Sequence, residues 1–225
     1  MIKVAINGFG RIGRMVLRSI IENKIKNIKV VAINNRANTG TSAFLLEKDT
    51  IHGNLNHGIK FDKKSIKIAG HNILCFHEND PINLPWKKLG IDIVFECTGK
   101  FNSKEQSSKH LIAGAKRVLV SAPCKNADKT VVYGINHKNI SNQDKIISVA
   151  SCTTNCLAPL AYVMDKNFTI QNGYMTTIHS YTTDQRLLDN SHKDLRRARS
   201  GPNNMVPTST GAAKALELIL PKLKN

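Results

Sequence analysis

The sequence is poor in aromatic residues and in acidic ones. Phe, Trp and Tyr make up 5% of its 225 residues, and 16 Asp and Glu stand against 33 Lys and Arg, which gives a formal net charge of +17. Single-stranded nucleic acids are commonly bound by stacking bases on aromatic side chains along a basic groove. Here aromatic residues are few and the lysines are scattered among Asn and Ile. We therefore expect an anionic small molecule, not a nucleic acid, as the partner.

Long apolar runs and paired cysteines are also missing. No run approaches the roughly 20 apolar residues of a membrane-spanning helix, so we expect no membrane association. The cysteine count is odd and no pair has zinc-ribbon spacing, which excludes a disulfide scaffold and gives no reason to expect a metal. Free thiols indicate a reducing compartment, so we expect a cytoplasmic protein. The cysteines are Cys75, Cys97, Cys124, Cys152 and Cys156.

A glycine-rich turn lies between two segments with the pattern of strands. Ile2–Ile6 and Lys29–Ile33 are rich in β-branched residues, and a segment of helical periodicity separates them. This is the context that a dinucleotide-binding motif requires. Gly8 would permit the tight turn, Gly10 would let the backbone approach a pyrophosphate, and Gly13 would let helix and strand pack closely. The alternative is a glycine turn that serves packing alone.

The end of the second strand leaves the choice between NAD and NADP open. An NAD site commonly has Asp or Glu there, which binds the ribose 2′-hydroxyl. This sequence has Asn34, Asn35 and Arg36 instead. No carboxylate at this point repels a 2′-phosphate, and Arg36 is able to pair with one. The alternative is that Arg36 points to solvent and that Asn35 binds the ribose hydroxyls.

Strands and helices alternate through the first 151 residues. Lys67–Leu74 has the pattern of a hairpin, Ile91–Cys97 and Lys116–Ser121 are typical of buried strands, and Ser103 is placed to cap a helix. The alternation predicts an α/β fold with a doubly wound, mostly parallel, Rossmann-type sheet. Ligands bind such sheets at the carboxyl ends of the strands. Those ends are predicted at Gly8, Asn35, Thr98–Gly99 and Ser121–Pro123.

Cys152 lies between a predicted strand, Lys145–Ala150, and a predicted helix, Leu157–Met164. A thiol at a helix N-terminus has a lowered pKa, so more of it is the reactive thiolate. The hydroxyl and N–H groups around it are able to hold an oxyanion or a phosphate, and they belong to Ser151, Thr153 and Thr154. Cys156, one helical turn further on, is expected to pack in the core as a small apolar residue, as are the other cysteines.

His179 is the best-placed base for this thiol, because it ends a predicted strand, Tyr174–Ile178, among hydroxyl residues. By position alone, a surface or packed histidine would be the simpler interpretation. Further on, Leu195–Arg199 is a basic run and Pro207–Ala213 is a hydroxyl-rich turn that opens a helix. Together they offer guanidinium and N–H donors for phosphate. The alternative for the arginines is a solvated loop or a subunit contact.

Four segments of the sequence, taken in order, resemble the motifs of the phosphorylating glyceraldehyde-3-phosphate dehydrogenases. They are Asn7–Arg14, Ser151–Cys156, His179–Thr182 and Thr208–Ala213. The resemblance implies that the Cys152 thiolate attacks the aldehyde of glyceraldehyde 3-phosphate, and that His179 raises its reactivity and takes the hydroxyl proton. Hydride passes to NAD or NADP, and inorganic phosphate then releases 1,3-bisphosphoglycerate from a thioester. A homotetramer, with residues 181–205 at a subunit interface, is also implied.

The resemblance further implies a set of binding residues. Three would contact or lie near the cofactor: Arg11, Ile12 and Ser121. Thr98, at a predicted strand end, is placed with them. Four would bind the attacking phosphate: Ser151, Thr153, Thr210 and Gly211. Two would bind the substrate's own phosphate: Thr182 and Arg197.

Several positions depart from the family's usual pattern. Asn35 replaces the Asp of NAD-type members, which leaves the cofactor in question. The other departures are Asn79, Val149 and Thr183. None of them removes a catalytic group.

The family chain is longer by roughly half, on the logic of two-domain proteins. We expect residues 1–151 to form a dinucleotide-binding domain and 152–225 the N-terminal part of an α+β catalytic domain whose remainder is absent. A half-built sheet would leave open edges and exposed apolar faces, so we expect this chain alone to be unstable or to aggregate, which leaves its activity in isolation in question.

Three other functions remain open at this point. The first is a dehydrogenase for another phosphorylated aldehyde, such as erythrose 4-phosphate. The second is a non-catalytic fragment that binds nucleotides or RNA through its basic surface. The third is an inactive remnant. The Thr208–Gly211 turn favours the glyceraldehyde enzyme over the first, and intact Cys152 and His179 argue against the third.

Overall fold

The computed structural model describes residues 1–224, which divide into two compact units. The first unit is Met1–Ser151 and the second begins at Cys152. Among the described residues, no helix combines the length and the apolar character needed to cross a membrane.

The first unit is built on one twisted sheet, which has nine strands within the described residues. The strands are β1 Ile2–Asn7, β2 Ile28–Asn34, β3 Lys60–Phe61, β4 Ser65–Ile68, β5 His71–Phe76, β6 Ile93–Glu96, β7 Arg117–Val120, β8 Lys129–Thr130 and β9 Ile146–Ser148. Their spatial order is β3-β4-β5-β2-β1-β6-β7-β9-β8. From β5 to β8 all neighbours are parallel, and β4 pairs antiparallel with both β3 and β5.

Helices connect these strands and confirm the doubly wound α/β prediction. The helices of the first unit are α1 Arg11–Glu22, α2 Thr39–Glu47, α3 Trp86–Leu89 and α4 Lys104–Ile112. The predicted hairpin is confirmed as the β4–β5 pair, in which Ile68 faces His71. The predicted cap is also confirmed, because the Ser103 Oγ accepts a hydrogen bond from the Gln106 N–H at 3.2 Å.

The sheet is covered on both faces, because successive side chains of a strand point to opposite sides. Ile6 of β1 belongs to an apolar cluster with Leu17 of α1 and Leu46 of α2. Its neighbour Ala5 belongs to a second cluster, which contains Trp86 of α3. Burying a side chain as completely as Leu17 contributes about 1.5–3 kcal/mol, so these two layers hold β1 and β2 rigidly at the centre of the unit.

The second unit contains two α-helices within residues 152–224, α5 Cys152–Phe168 and α6 Ala212–Ile219, which contact each other. The prediction of a strand at Tyr174–Ile178 is wrong, since this segment has no regular secondary structure and pairs with no strand among the described residues. Its aromatic and β-branched residues are typical of strands, yet Tyr174 is 96% exposed and Ile178 is fully exposed. Strand propensity is a property of single residues, whereas a strand also needs a hydrogen-bonding neighbour.

Candidate functional site

The glycine turn joins β1 to α1 in a conformation that only glycine fits well. Gly8 has φ +90°, and a Cβ built there would lie 2.6 Å from the Thr98 nitrogen. A Cβ on Gly13 would lie 2.1 Å from the Gly8 carbonyl oxygen, whereas one on Gly10 would meet no atom within 4 Å. The geometry agrees with the tight turn predicted at Gly8 and with the close packing predicted at Gly13. It leaves open space in front of the Gly10 backbone.

A cavity of about 230 Å³ lies at the carboxyl ends of β1, β2 and β6, beside this turn. It is lined by Asn7, Gly8, Gly10, Asn34, Asn35, Arg36, Glu78, Asn79, Cys97, Thr98, Lys100 and Phe101. Five predicted cofactor residues therefore come together here: Gly8, Gly10, Asn35, Arg36 and Thr98. The other four lie outside the lining: Arg11, Ile12, Gly13 and Ser121.

The first turn of α1 carries two of those four residues. The Arg11 guanidinium is paired with the Asp49 carboxylate, so its side chain is engaged away from the cavity. Hydrogen bonds from the His52 backbone and from Arg11 outweigh burial and lower the pKa of Asp49 to about 2. Ile12 is half exposed. The N–H groups of the first turn have no partner inside the helix, so Arg11 and Ile12 are able to meet a phosphate through their backbones.

A buried chain of hydrogen bonds supports the floor of the cavity. The Trp86 Nε1–H donates to His110 Nδ1 at 3.0 Å. Because an indole N–H can only donate, the His110 proton lies on Nε2, which donates to Glu96 Oε2 at 3.0 Å. The same oxygen accepts from Asn7, and the other carboxylate oxygen accepts from the Thr98 N–H and hydroxyl. The buried Glu96 carboxylate is thus surrounded by donors.

The hydrogen-bonded chain continues from Asn7 to the opposite wall of the cavity. Asn34 Nδ2 donates to Asn7 Oδ1 at 2.7 Å and to the Glu78 carbonyl at 2.9 Å, and Asn34 Oδ1 accepts from the Glu78 N–H at 2.8 Å. Three strand ends and the segment after β5 are therefore held in one network. It fixes the position of backbone groups that face the cavity.

Replacing Glu96 with glutamine is expected to lower the free energy of unfolding by about 2 kcal/mol, because the new amide would place a donor against the donors of Asn7 and His110. The matched control is Glu105→Gln, which removes an exposed carboxylate from the first turn of α4 and should cost about 0.5 kcal/mol or less. Urea unfolding followed by circular dichroism measures both. Equal losses in the two variants would contradict the donor arrangement described for Glu96.

Sequence reasoning missed several residues of the cavity wall. They are Asn7, Asn34, Glu78, Cys97, Lys100 and Phe101. Asn7 and Asn34 are the last residues of β1 and β2, so the strand-end rule contained the signal for both. Glu78 follows β5, and its place was missed because β5 was treated only as half of a hairpin, although it also pairs parallel with β2.

Cys152 and His179 are brought together in the second unit. Cys152 is the first residue of α5, and its Sγ lies 3.2 Å from His179 Nε2. His179 Nδ1 lies 2.6 Å from the Ser180 carbonyl, which can only accept, so Nδ1 carries a proton and Nε2 faces the thiol as the basic nitrogen. The Cys152 side chain is thereby supplied with a base.

The pKa values of the pair move toward each other. Partial burial alone would raise the pKa of the Cys152 thiol, but hydrogen bonds from His179 and Thr153 and the imidazolium charge outweigh it. The pKa of Cys152 is therefore lowered from its usual 9.0. Donation to the Ser180 carbonyl, and then the contact with Cys152, raise the pKa of His179. Both shifts favour the thiolate–imidazolium form of the pair over the neutral thiol and imidazole.

The prediction that Cys156 packs in the core is wrong, because its side chain is exposed. Cys152 and Cys156 are four residues apart and share one helix face, and α5 buries Thr154, Ala158 and Ala161 instead. The other cysteines are half-buried, as expected for packing residues, and Cys97 also lines the cavity. Within residues 1–224 no group of three or more His, Cys, Asp or Glu side chains is placed to hold a metal ion.

Arg197 meets the hydroxyl-rich turn that precedes α6. Its Nε donates to the Thr208 hydroxyl at 3.3 Å, and its Nη2 lies 3.5 Å from the Ser209 carbonyl. Its Nη1 is paired with the Asp184 carboxylate, which has a lowered pKa because of that pair. A phosphate that binds Arg197 therefore has to share the guanidinium with the Asp184 carboxylate or displace that carboxylate. No pattern in the sequence indicated this ion pair.

The remaining predicted phosphate residues lie in turns of the second unit, or just before it. Thr153 bonds to the Cys152 sulfur through its backbone and side chain. Thr182 bonds to Gln185, and the Thr210 hydroxyl accepts from the Ala212 N–H at 3.3 Å, where Gly211 caps α6. Ser151 is the last residue of the first unit, and it interacts with another residue. Their part in phosphate binding stays a prediction.

Comparison with known proteins agrees with this geometry. Residues 2–104 match the family model described as glyceraldehyde 3-phosphate dehydrogenase, NAD binding domain, and residues 151–225 match its C-terminal domain. Curated relatives named glyceraldehyde-3-phosphate dehydrogenase include those of Zymomonas mobilis subsp. mobilis, 51% identical over 100% of this chain and 67% of the relative, and Mycoplasma pneumoniae, 54% identical over 97% and 64%. The protein of Geobacillus stearothermophilus is 50% identical over 100% and 67%.

The chain thus spans about two thirds of the length of the curated relatives that it matches. Both family models fall on the part of the chain whose motifs suggested the resemblance, and the overall identity to each of these relatives is near one half. The resemblance stated from the sequence is confirmed, and the chain belongs to the glyceraldehyde-3-phosphate dehydrogenase family.

Proposed function

We propose that this chain carries out the phosphorylating oxidation of glyceraldehyde 3-phosphate to 1,3-bisphosphoglycerate, with NAD or NADP as hydride acceptor. The observation that carries the proposal is the Cys152–His179 pair at the start of α5, with His179 Nδ1 fixed on the Ser180 carbonyl. A thiolate held beside its own base is the arrangement that covalent aldehyde oxidation requires. The names of the curated relatives favour this substrate over erythrose 4-phosphate.

The first step follows from the protonation states of the pair. The Cys152 thiolate attacks the aldehyde carbon, and a C–S bond forms as the carbonyl π electrons move to oxygen. The His179 imidazolium gives its Nε2 proton to that oxygen, which yields a neutral hemithioacetal. His179 is then the free base that the next step needs, and its Nδ1–H still donates to Ser180.

The second and third steps use the same two side chains. His179 Nε2 removes the hemithioacetal hydroxyl proton while hydride leaves the carbon, so the aldehyde is oxidised to a thioester on Cys152. A bound NAD or NADP supplies the two-electron acceptor for that hydride. Inorganic phosphate then attacks the thioester carbon and expels the Cys152 thiolate, which the imidazolium stabilises. Ser151, Thr153, Thr210 and Gly211 are proposed for the attacking phosphate, and Thr182 and Arg197 for the substrate's phosphate.

The first unit fits the adenine dinucleotide. The Gly10 backbone has open space in front of it, the first-turn N–H groups of α1 are available for a pyrophosphate, and the 230 Å³ cavity adjoins the end of β2. We propose Gly8, Gly10, Gly13, Asn35, Arg36 and Thr98 as its binding residues, together with the backbones of Arg11 and Ile12. We also propose Ser121, whose backbone N–H donates to the Glu96 carbonyl and whose side chain bonds to the Cys97 thiol of the cavity wall.

We expect the Cys152→Ser variant to lose all acyl-enzyme formation, because a serine hydroxyl beside His179 is not ionised at neutral pH. The protein is incubated with glyceraldehyde 3-phosphate and NAD or NADP, and the mass of the Cys152 peptide is measured. Cys156→Ser is the matched control, since it removes an exposed thiol from the same helix face and should still be acylated. Acylation that persists in Cys152→Ser would contradict the proposal, as would acylation without the dinucleotide.

The assembly and location follow from family membership only as proposals. We propose a homotetramer in the cytoplasm, with residues 181–205 at a subunit interface. Support comes from exposed apolar side chains in this range, including Leu187, Leu188 and Leu195. Sedimentation equilibrium of the purified protein measures the oligomeric state, and a monomer at all concentrations would contradict the proposal.

A further inference from the structure

Arg36 stands at the rim of the cavity with a free guanidinium. Its side chain is exposed, and within residues 1–224 it has no hydrogen-bond or ion-pair partner. Every other arginine in that range has at least one, as Arg11 has with Asp49 and Arg199 with Asp189. Arg36 thus presents five N–H donors to the cavity, and within residues 1–224 no carboxylate is paired with them.

Asn35 precedes Arg36 and has an uncharged side chain, and hydrogen bonds hold the residue in place. Its Nδ2 donates to the Ser42 hydroxyl at 3.2 Å, its backbone N–H donates to the Phe76 carbonyl at 3.0 Å, and its own carbonyl contacts His77 Nδ1 at 2.8 Å. These contacts leave Oδ1 and the second N–H of the amide for a ligand. An aspartate at this place would put a negative charge beside a 2′-phosphate, whereas the amide adds a donor.

The charges around the cavity favour an anion next to Arg36. Arg36 and Lys100 are the lining cations, and Glu78 is the lining carboxylate. Glu78 is not within ion-pair distance of Arg36, and its backbone is held in place by the Asn34 side chain. Glu78 therefore does not neutralise the guanidinium, although it opposes an added phosphate through space.

From these contacts we propose that Asn35 and Arg36 form the site for the 2′-phosphate of the adenine ribose, so that this chain binds NADP more tightly than NAD. The inference rests on the proposed function, since it assigns a specificity to the same dinucleotide site. Arg36 supplies charge-assisted hydrogen bonds to the phosphate oxygens, and Asn35 supplies a neutral donor where a carboxylate would repel them.

The test measures binding by calorimetry on the whole chain, with no turnover needed. The probes are adenosine 2′,5′-bisphosphate against adenosine 5′-monophosphate, and NADP against NAD. In Arg36→Gln we expect the bisphosphate and NADP to bind about tenfold or more weakly, and NAD to change by about twofold or less. Lys138→Gln is the matched control: it removes one positive charge at an exposed side chain outside the cavity and should alter no probe by more than about twofold.

Two further variants sharpen the result. Asn35→Asp adds a carboxylate near the 2′-phosphate, so it should weaken NADP binding and leave NAD binding unchanged or tighter. Glu78→Gln removes a carboxylate from the same region, so it should tighten NADP binding. Equal binding of NADP and NAD by the unmodified chain, or equal losses of both in Arg36→Gln, would overturn the inference and leave the dinucleotide site intact. If neither dinucleotide binds a chain that is folded by circular dichroism, the proposed function itself fails.

Discussion

Replacing Gly13 with alanine is expected to lower the free energy of unfolding of the first unit by about 3 kcal/mol or more. The new Cβ would lie 2.1 Å from the Gly8 carbonyl oxygen and 3.0 Å from Ile6 Cγ2. Neither atom can move away easily, because Gly8 is in a left-handed turn and Ile6 is buried in the centre of the sheet. Helix α1 would have to separate from β1.

The expected loss of stability in Gly13→Ala is the opposite of what helix propensity alone predicts. Inside a helix alanine is favoured over glycine by about 1 kcal/mol, so α1 retains Gly13 in spite of that preference. Urea unfolding followed by far-UV circular dichroism gives the free energy. A Gly13→Ala protein as stable as the parent would show that helix and strand are further apart in solution.

Gly10→Ala is the control that separates stability from binding. A Cβ at Gly10 meets no atom within 4 Å, and the residue has φ −76°, which alanine adopts without strain. Its stability should therefore change by about 1 kcal/mol or less, the size of an N-cap effect. If the Gly10 backbone approaches a pyrophosphate, the same variant should bind NAD and NADP about tenfold more weakly. Gly13→Ala is thus expected to lose stability, whereas Gly10→Ala is expected to lose dinucleotide affinity.

Removing the base beside Cys152 is expected to slow its alkylation by about tenfold to a hundredfold at neutral pH. In His179→Gln the sulfur loses the imidazolium that lowers the pKa of the thiol, so the pKa rises toward 9.0. A thiol with that pKa is about 1% thiolate at pH 7. The rate is measured with iodoacetamide by the mass of the Cys152 peptide, so that the other cysteines do not contribute.

The pH dependence of the alkylation rate shows in which direction the pKa of the Cys152 thiol changes. In the parent, alkylation of Cys152 is fast above its lowered pKa and is lost as the pH falls through that value. In His179→Gln the same loss should occur at higher pH. His57→Gln, which removes an exposed histidine of the first unit, should leave the profile unchanged. Identical profiles for the parent and His179→Gln would mean that the 3.2 Å contact does not tune the thiol.

The parts of the site that sequence reasoning predicted are those encoded by neighbouring residues. The glycine turn, the strand ends beside it and the thiol at the start of α5 each follow from a short segment of fixed spacing. The strand prediction at Tyr174–Ile178 was wrong because the strand propensity of its residues cannot show whether a pairing strand is present. The Glu96 network could not be predicted either, because Asn7 and His110, which both donate to the Glu96 carboxylate, are far apart in the sequence.

Some local features also lie beyond the reach of sequence patterns. Ala150, just before the Ser-Cys pair, has φ +60°, a conformation that costs a non-glycine residue about 1 kcal/mol, and no residue type signals it. The pairing of Arg197 with Asp184 is similar, since a basic run and an isolated aspartate do not indicate each other.

The tryptophan of the buried network gives this protein an internal optical probe. Trp86 is the single tryptophan in the sequence, its ring is fully buried, and its indole N–H is bonded to His110. Phe76 of β5 lies edge-on at 6.1 Å between ring centroids. Tryptophan emission should therefore be blue-shifted in the folded chain and should report on the first unit alone. Comparison of its unfolding transition with the loss of helical circular dichroism will show whether the two units unfold together or in sequence.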